Sequence, residues 1–317
     1  MKRNLNMGKS KRRKSQALPD TDLRLPTPQT LWRVGEASGQ IETALLEMPN
    51  DIKRRLIGSS KLPDAISAAR TPAQLVFLAK DVTGVFIPQW RERILAFGPE
   101  ALPAIVRRLQ SSQSISDAIE RDTVVERLIG VMPMLGDSAA AALMSCFDSL
   151  DIYGQSLACM ALGMMRVVEA RDVIWRYFER VRDDEDIGYA VGALWGLLDL
   201  DDPRADEAIA HLLKHDRDFP EPYGFAARGG GVQSIAPLLD RLVITTESPT
   251  DKSEVQDVLM ALAGVMARVG EETMRTELSN FIKGTDRLES MLAGLRDRAP
   301  LVSRYFKIFF PDKSPGE

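Results

Sequence analysis

The stretch Ile187–Leu213 reads IGYAVGALWGLLDLDDPRADEAIAHLL, and it predicts two antiparallel helices joined by a tight turn. Asp202 before Pro203 marks the start of the second helix, because a carboxylate accepts from free backbone N–H groups and proline lacks the N–H that would be left over. Two short helices with facing apolar stripes bury little by themselves, so neighbours of the same kind are expected. The first helix carries these apolar residues at helical spacing: Ile187, Ala190, Val191, Leu194, Leu197 and Leu198.

The same pattern recurs from about residue 86 onward, where turns containing Gly, Asp or Pro each lead to a small residue and a second apolar helix. The last stretch, 285–310, resembles a degenerate seventh pair and ends in RYFKIFF. We interpret its aromatic residues as closing the stack, with a partner-binding motif as the alternative. The residues that align after the turns, at spacings of 27 to 41 residues, are Ala101, Ala139, Ala170, Ala205, Val232 and Thr273.

The segments ALGMMRVVEARDVI and ALWGLLDLDDPRADEAI resemble HEAT repeats, especially the short variety named after phycobilisome lyases. Asp202-Pro203-Arg204-Ala205 matches the Gly-Asp-Pro-x-Ala pattern best, whereas Arg166-Val167 stands where Gly-Asp is usual. The resemblance covers roughly residues 86–282. It implies an all-α fold, an α-α superhelix or solenoid of about six to seven HEAT-like helix pairs.

Four segments are predicted: a disordered basic tail (1–30), an irregular helical N-terminal cap (31–84), the repeat solenoid (85–310) and a disordered C-terminus (311–317). Residues 1–20 hold seven Lys or Arg and one Asp, and the rest of the chain holds 34 basic and 44 acidic residues. A mildly acidic body therefore carries a basic tail. No secretory signal and no apolar run of about 18 residues is present. We therefore expect a cytoplasmic protein without a membrane partner, or a nuclear one if it is eukaryotic, since KRRK can act as a nuclear address.

Three motifs suggest chemistry, and each has a simpler structural explanation. Trp175 lies on a helical stripe that suits base stacking, but the equivalent positions of the other repeats are apolar, which favours packing. His211 and His215 have the i, i+4 spacing of a metal pair, although Asp216 is the only further ligand nearby and a solvated helix end is the alternative. The run Arg228-Gly229-Gly230-Gly231 can cradle an anion at a helix start, or it can be another turn between paired helices.

The outer face of the second helices is predicted to line a concave groove of mixed charge, with Arg107, Arg176 and His211 among its residues. Together with Trp175 these are the candidate binding residues for a peptide or helix of another protein. We predict no cofactor, no metal site and no catalytic set, and we expect Cys146 and Cys159 to be free, buried thiols. Nucleic acid is expected to bind only through the tail, whose candidate residues are Lys9, Lys11, Arg12, Arg13 and Lys14.

These observations favour a non-enzymatic protein-interaction scaffold or adaptor that uses the repeat surface. The alternative is a nucleic-acid- or ribosome-associated factor, which depends on the basic tail. A third class, a HEAT-like enzyme such as a DNA glycosylase or a pigment lyase, is implied only by the resemblance at the level of the fold.

Overall fold

A computed structural model describes residues 61–82, 84–184, 188–215, 221–247 and 252–309. The chain divides into two compact units, residues 1–50 and 51–317, and every described residue belongs to the second unit. The predicted basic tail, residues 31–60 of the predicted cap and the C-terminal segment 311–317 lie outside the described residues.

The described residues form α-helices and short 3₁₀ turns and contain no β-strand, which confirms the predicted all-α class. The helices alternate between two sets along the chain. The odd-numbered helices are α1 (Leu62–Ala68), α3 (Ile87–Leu95), α5 (Ala118–Val131), α7 (Ile152–Met164), α9 (Gly188–Asp199), α11 (Glu221–Gly229), α13 (Lys252–Val269) and α15 (Thr285–Phe309). The even-numbered helices are α2 (Pro72–Leu78), α4 (Leu102–Gln110), α6 (Ser138–Cys146), α8 (Arg171–Val181), α10 (Arg204–His215), α12 (Val232–Glu247) and α14 (Glu271–Phe281).

Many of the helix contacts lie within one set, which gives two layers. In the odd layer α5 packs on α7, α7 on α9, α11 on α13 and α13 on α15, and in the even layer α2 packs on α4, α4 on α6, α10 on α12 and α12 on α14. Contacts between the layers join helices that are adjacent in sequence, such as α8 with α9 and α12 with α13. The core lies between the layers, and Ile174, Leu194 and Ile209 there are fully buried.

Five of the described turns between paired helices contain a residue with positive φ. The angle φ is +54° at Gly98, +83° at Gly136 and +86° at Gly270. Arg166 and Asp201 adopt the same conformation, with φ of 54° and 50°, although both carry side chains. Positive φ therefore recurs at these five turns, and the sequence pattern located them correctly even where glycine is missing.

The turn after α9 shows how this shape ends a helix. Asp202 donates its N–H to the Leu197 carbonyl at 2.9 Å, and Asp201 donates to the Leu198 carbonyl at 3.3 Å. These two bonds form a Schellman motif, which satisfies carbonyls at a helix end. A side chain in the left-handed region costs about 1–2 kcal/mol. The same pair of bonds forms at the end of α7, where Arg166 and Val167 donate to Gly163 and Leu162, so local hydrogen bonds hold both turns despite that cost.

Helices α7 and α9 approach so closely that their backbones touch. A Cβ built on Gly192 would lie 2.2 Å from the Ser156 carbonyl oxygen, and one built on Gly163 would lie 2.6 Å from the Gly196 Cα. Gly264 of α13 has the same relation to α11, since a Cβ there would lie 2.4 Å from the Ala227 carbonyl oxygen. Only glycine fits at these crossings, and the odd layer is thus packed through small residues.

Arginine side chains tie helices of one layer together at their C-terminal ends. The guanidinium of Arg268 in α13 donates to the carbonyls of Ala226 at 2.6 Å and Ala227 at 2.8 Å, and Nε donates to Gly230 at 2.9 Å. Arg241 of α12 donates in the same way to the Leu213 carbonyl in the last turn of α10. The final carbonyls of a helix have no partner within it, so these contacts supply donors to carbonyls such as that of Ala227, whereas Ala226 also accepts from the Gly230 N–H at 2.9 Å.

The two ends of the described region differ in how well the sequence predicted them. Thr71 caps α2 with Gln74 in a capping box, as expected for a helix that begins at Thr71-Pro72. The predicted seventh pair is instead the single helix α15, which continues through Pro300. Its buried residues Leu292, Leu295 and Val302 continue one helical row, so packing on α13 compensates for the hydrogen bond that the proline removes.

Candidate binding surface

The residues that the sequence singled out lie on three even-numbered helices. Arg107 on α4 and Arg176 on α8 are exposed, whereas Trp175 on α8 and His211 on α10 are half-buried. That Arg107, Arg176 and His211 share one groove stays a prediction. The tail residues fall outside the described part of the chain.

Trp175 packs within the protein. Its ring centroid lies 5.4 Å from that of Phe178, and the guanidinium carbon of Arg204 lies 5.3 Å from it on α10. Arg204 is held in turn by Asp172 at 3.0 Å and by the buried carboxylate of Asp202 at 2.7 Å. One face of the indole is therefore covered by an arginine that already has two carboxylate partners. This geometry favours packing over base stacking.

His211 faces the end of α8. Its Nε2 lies 3.0 Å from an Asp183 carboxylate oxygen and 3.3 Å from the Arg182 carbonyl, and its ring stacks on His215 with centroids 4.4 Å apart. Burial and the neighbouring His215 lower the pKa of His211, and Asp183 acts in the opposite direction. Within the described ranges, no three His, Cys, Asp or Glu side chains form a group that could hold a metal ion. Asp216, the further ligand considered from sequence, is outside those ranges.

The glycine run at 229–231 is a turn between α11 and α12, and the protein's own carboxylate occupies the helix start that follows it. Asp206 accepts from the N–H groups of Gly231 at 2.5 Å and Gln233 at 2.9 Å, and from the Ser234 hydroxyl at 2.6 Å. An anion does bind this helix N-terminus, as the sequence suggested, but it is a side chain of α10.

Asp199 is buried at the end of α9, where it pairs with Arg228 of α11, and both side chains are less than a tenth exposed. The guanidinium of Arg228 also lies over the Trp195 ring, 4.8 Å from its centroid. Asp202 does cap a helix, accepting from the Arg204 N–H at 2.9 Å. The pairing of Asp199 joins segments 29 residues apart, and no local pattern signals it.

Helices α7 and α9 of the odd layer are more fully covered than the even helices beside them, a feature that the sequence analysis missed. No residue of α7 is exposed, and none of α9 beyond its first residue, whereas α4, α6 and α8 each expose a residue at nearly every turn. The small residues of α7 and α9 were a usable signal, because helices that pack backbone to backbone leave little room for side chains to reach water. We call the half-buried row on α5, α7 and α9 the recessed face; its residues are Asp122, Glu126, Arg127, Tyr153, Leu157, Met164, Val191 and Trp195.

Charges of both signs surround Tyr153 on the recessed face. Arg127 pairs with Glu126 at 2.8 Å, and Arg121 pairs with Asp151 at 2.8 Å. Burial, and then the charge of Glu126, raises the pKa of Tyr153 to about 12. The phenol therefore stays protonated at neutral pH and serves as a hydrogen-bond donor. Such a surface offers aromatic area, donors and acceptors to a macromolecular partner.

A groove of about 520 Å³ opens between α13 and α15, in the odd layer. Its apolar residues include Leu259, Ile282 and Met291, and its charged residues are Asp286, Arg287 and Arg298. The volume lies within the range of about 300–1,000 Å³ that is typical of ligand sites.

The two cysteines are free and buried, as predicted. Burial raises the pKa of Cys146 to about 11 and that of Cys159 further, which keeps both thiols protonated and disfavours a nucleophilic role. Over the described residues, no helix combines the length and apolar character needed to cross a bilayer. Comparison of the chain with protein-family models, with curated proteins and with solved structures gives no match.

Proposed function

We propose that this chain is a non-enzymatic protein-interaction scaffold, built as an α-solenoid of HEAT-like helix pairs, and that its partner binds along the recessed face. The observation that carries the proposal is the difference in exposure between α7 and α9 and the even helices α4, α6 and α8. The even helices expose a residue at nearly every turn, as an ordinary solvated surface does, whereas the residues of the recessed face are half-buried.

The close glycine contacts support a curved stack with the odd layer on its concave side. Backbone contact between α7 and α9 at Gly192 and Gly163, and between α11 and α13 at Gly264, brings the odd helices closer together than larger residues would allow. Unequal spacing in two stacked layers produces curvature, and curved repeat stacks form extended concave binding surfaces. This proposal places the binding surface on the first helix of each pair, and not on the second helices that carry Arg107 and Arg176.

The mixture of groups on the recessed face indicates the class of partner. Glu126, Arg127 and Tyr153 supply charges of both signs beside an aromatic hydroxyl, which suits a polypeptide with its own mixed side chains. A polyanion would require a sustained positive stripe, and the body beyond residue 20 carries a formal charge of −10. The basic tail remains the specific observation in favour of the alternative, a nucleic-acid-associated factor.

Affinity purification with the full-length tagged chain tests this proposal, with partners quantified by mass spectrometry and located by cross-linking. One variant changes the recessed face (Glu126→Lys with Tyr153→Ala), and a matched variant changes two exposed residues of the even layer (Arg107→Glu with Arg176→Glu). We expect a specific protein partner that the first variant loses and the second retains.

The opposite result would place the partner on the even layer, as the sequence alone predicts. Equal loss from both variants with normal circular dichroism would contradict the recessed face as the site. Absence of any protein enriched over an untagged control would contradict the scaffold function itself.

A further inference from the structure

The groove between α13 and α15 combines an apolar floor with two cations that have no carboxylate partner among the described residues. Leu259 and Met291 are half-buried on its floor, and Arg287 and Arg298 stand at its rim. Arg298 donates to the Gly294 carbonyl at 2.8 Å and to the Gln256 amide oxygen at 3.4 Å, both of which are uncharged. Among the described residues, neither of these arginines forms a salt bridge.

Two glutamates near the groove are already paired with other arginines. Glu271 accepts from Arg296 at 2.6 Å and from Arg275 at 3.3 Å, and Arg275 also pairs with Glu289. These arginines lower the pKa of both glutamates, which therefore stay ionised and paired. Among the described residues that line the groove, Arg287 and Arg298 thus outnumber the one carboxylate, Asp286.

The secondary structure limits how a peptide can dock here. The described residues contain no strand, so the groove has no sheet edge beside which an extended peptide could add its backbone. Recognition must use side chains, as when an amphipathic helix lays its apolar face in a hydrophobic groove. The part of α15 from Asp286 to Arg298 is about 18 Å long, which matches about three turns of a docked helix.

We propose that the groove between α13 and α15 binds an amphipathic helix of a partner protein, with apolar residues on Leu259, Ile282 and Met291 and flanking carboxylates on Arg287 and Arg298. This inference rests on the proposed scaffold function and adds the kind of segment that the scaffold captures. The groove and the recessed face both lie on odd-numbered helices, so one partner could contact both surfaces along the same layer.

A designed peptide pair tests the proposal on the full-length protein. The probe is an acetylated helix of about 14 residues made of Leu, Ala and Glu, with Leu on one face. Its partner has every Glu replaced by Lys. Fluorescence anisotropy measures affinity, and the ¹³C-methyl resonance of Met291, assigned with Met291→Leu, reports where the peptide binds.

We expect the Glu peptide to shift the Met291 resonance and to bind more tightly than the Lys peptide. Arg287→Glu should weaken binding about fivefold or more, because an attractive charge at the rim becomes repulsive. Gly294→Leu should weaken binding by filling the groove; only the Arg298 guanidinium lies near the added Cβ, so the helix can accept the change. Arg304→Glu, an exposed residue of the same helix outside the groove, should leave binding unchanged.

Failure to bind either peptide would overturn the assignment, as would tighter binding of the Lys peptide or binding that leaves the Met291 resonance unmoved. These outcomes can be distinguished from failure of the scaffold function. The affinity purification with the recessed-face variant tests that function independently. A partner that depends on Glu126 and Tyr153 but not on Arg287 would retain the scaffold and refute the groove.

Discussion

Two glycine-to-alanine changes, one at the backbone contact between α7 and α9 and one at an open position of α11, should have opposite effects on stability. In Gly192→Ala, the new methyl would lie 2.2 Å from the Ser156 carbonyl oxygen and 2.3 Å from its hydroxyl oxygen. Ordinary contact begins near 3.4 Å, so the two helices must separate by about 1 Å at this crossing. In Gly224→Ala, nothing lies within 4 Å of the new methyl, and the residue is likewise inside a helix.

The magnitudes follow from the same comparison. Alanine stabilises a helix interior by about 0.5–1 kcal/mol relative to glycine, and both variants gain this. Overpacking costs about 1–3 kcal/mol, and separation of α7 from α9 also loses dispersion contacts along the crossing near Gly163 and Gly196. We therefore expect Gly192→Ala to lower the free energy of unfolding by about 2 kcal/mol and Gly224→Ala to raise it by about 0.5–1 kcal/mol.

Urea unfolding followed by circular dichroism at 222 nm measures both changes against the parent chain. The comparison is sharp because the two variants make the same chemical substitution in helices of the same layer. A stabilised Gly192→Ala variant, or equal effects of the same sign, would show that the close crossing does not exist.

Three other changes test separate features. Arg268→Met should destabilise the protein by about 2–4 kcal/mol in urea unfolding, because carbonyls at the end of α11 lose their donors, whereas Arg304→Met on the surface should change stability by less than about 0.5 kcal/mol; equal effects would refute the capping role. The pKa of His211 is lower in the folded chain than in the unfolded one, so the unfolded state takes up protons first and stability falls as pH drops below about 6.5. His211→Asn should flatten that dependence between about pH 7 and 5, and an unchanged slope would contradict it. Deletion of residues 1–20 should abolish electrophoretic-shift binding to RNA or DNA at roughly physiological salt; retained binding would favour the nucleic-acid alternative and a locally positive groove.

The sequence predicted the helix pairs because their signals are local. Apolar spacing and turn residues are properties of short windows, and they located the turns at Gly98, Gly136 and Gly270. Pro300 shows the limit of such reasoning. Proline usually ends a helix, but α15 continues through Pro300 and packs on α13.

The candidate surface was less predictable because it depends on distances between helices. Whether a polar residue such as Glu126 is exposed or half-buried is decided by how closely its neighbours pack, and that follows from glycines many residues away. Likewise, the Asp199–Arg228 pair and the capping of α11 by Arg268 join residues about 30 to 40 positions apart, beyond any periodic pattern. The column that includes Arg107 and Arg176 was inferred by assigning the concave side to the second helices, a choice that periodicity does not determine.

The left-handed residues Arg166 and Asp201 also affect where the stack opens under thermal fluctuation. A turn that holds about 1–2 kcal/mol of conformational strain releases it on local unfolding, so its amide hydrogens exchange roughly tenfold faster than those of an unstrained turn. If glycine stood at every turn, this strain would be absent and would not favour local unfolding at one turn over another. In this chain the turns at Arg166 and Asp201, which follow the closely packed helices α7 and α9, are the preferred places for local opening. A partner that binds beside these turns would contact a surface that can bend there.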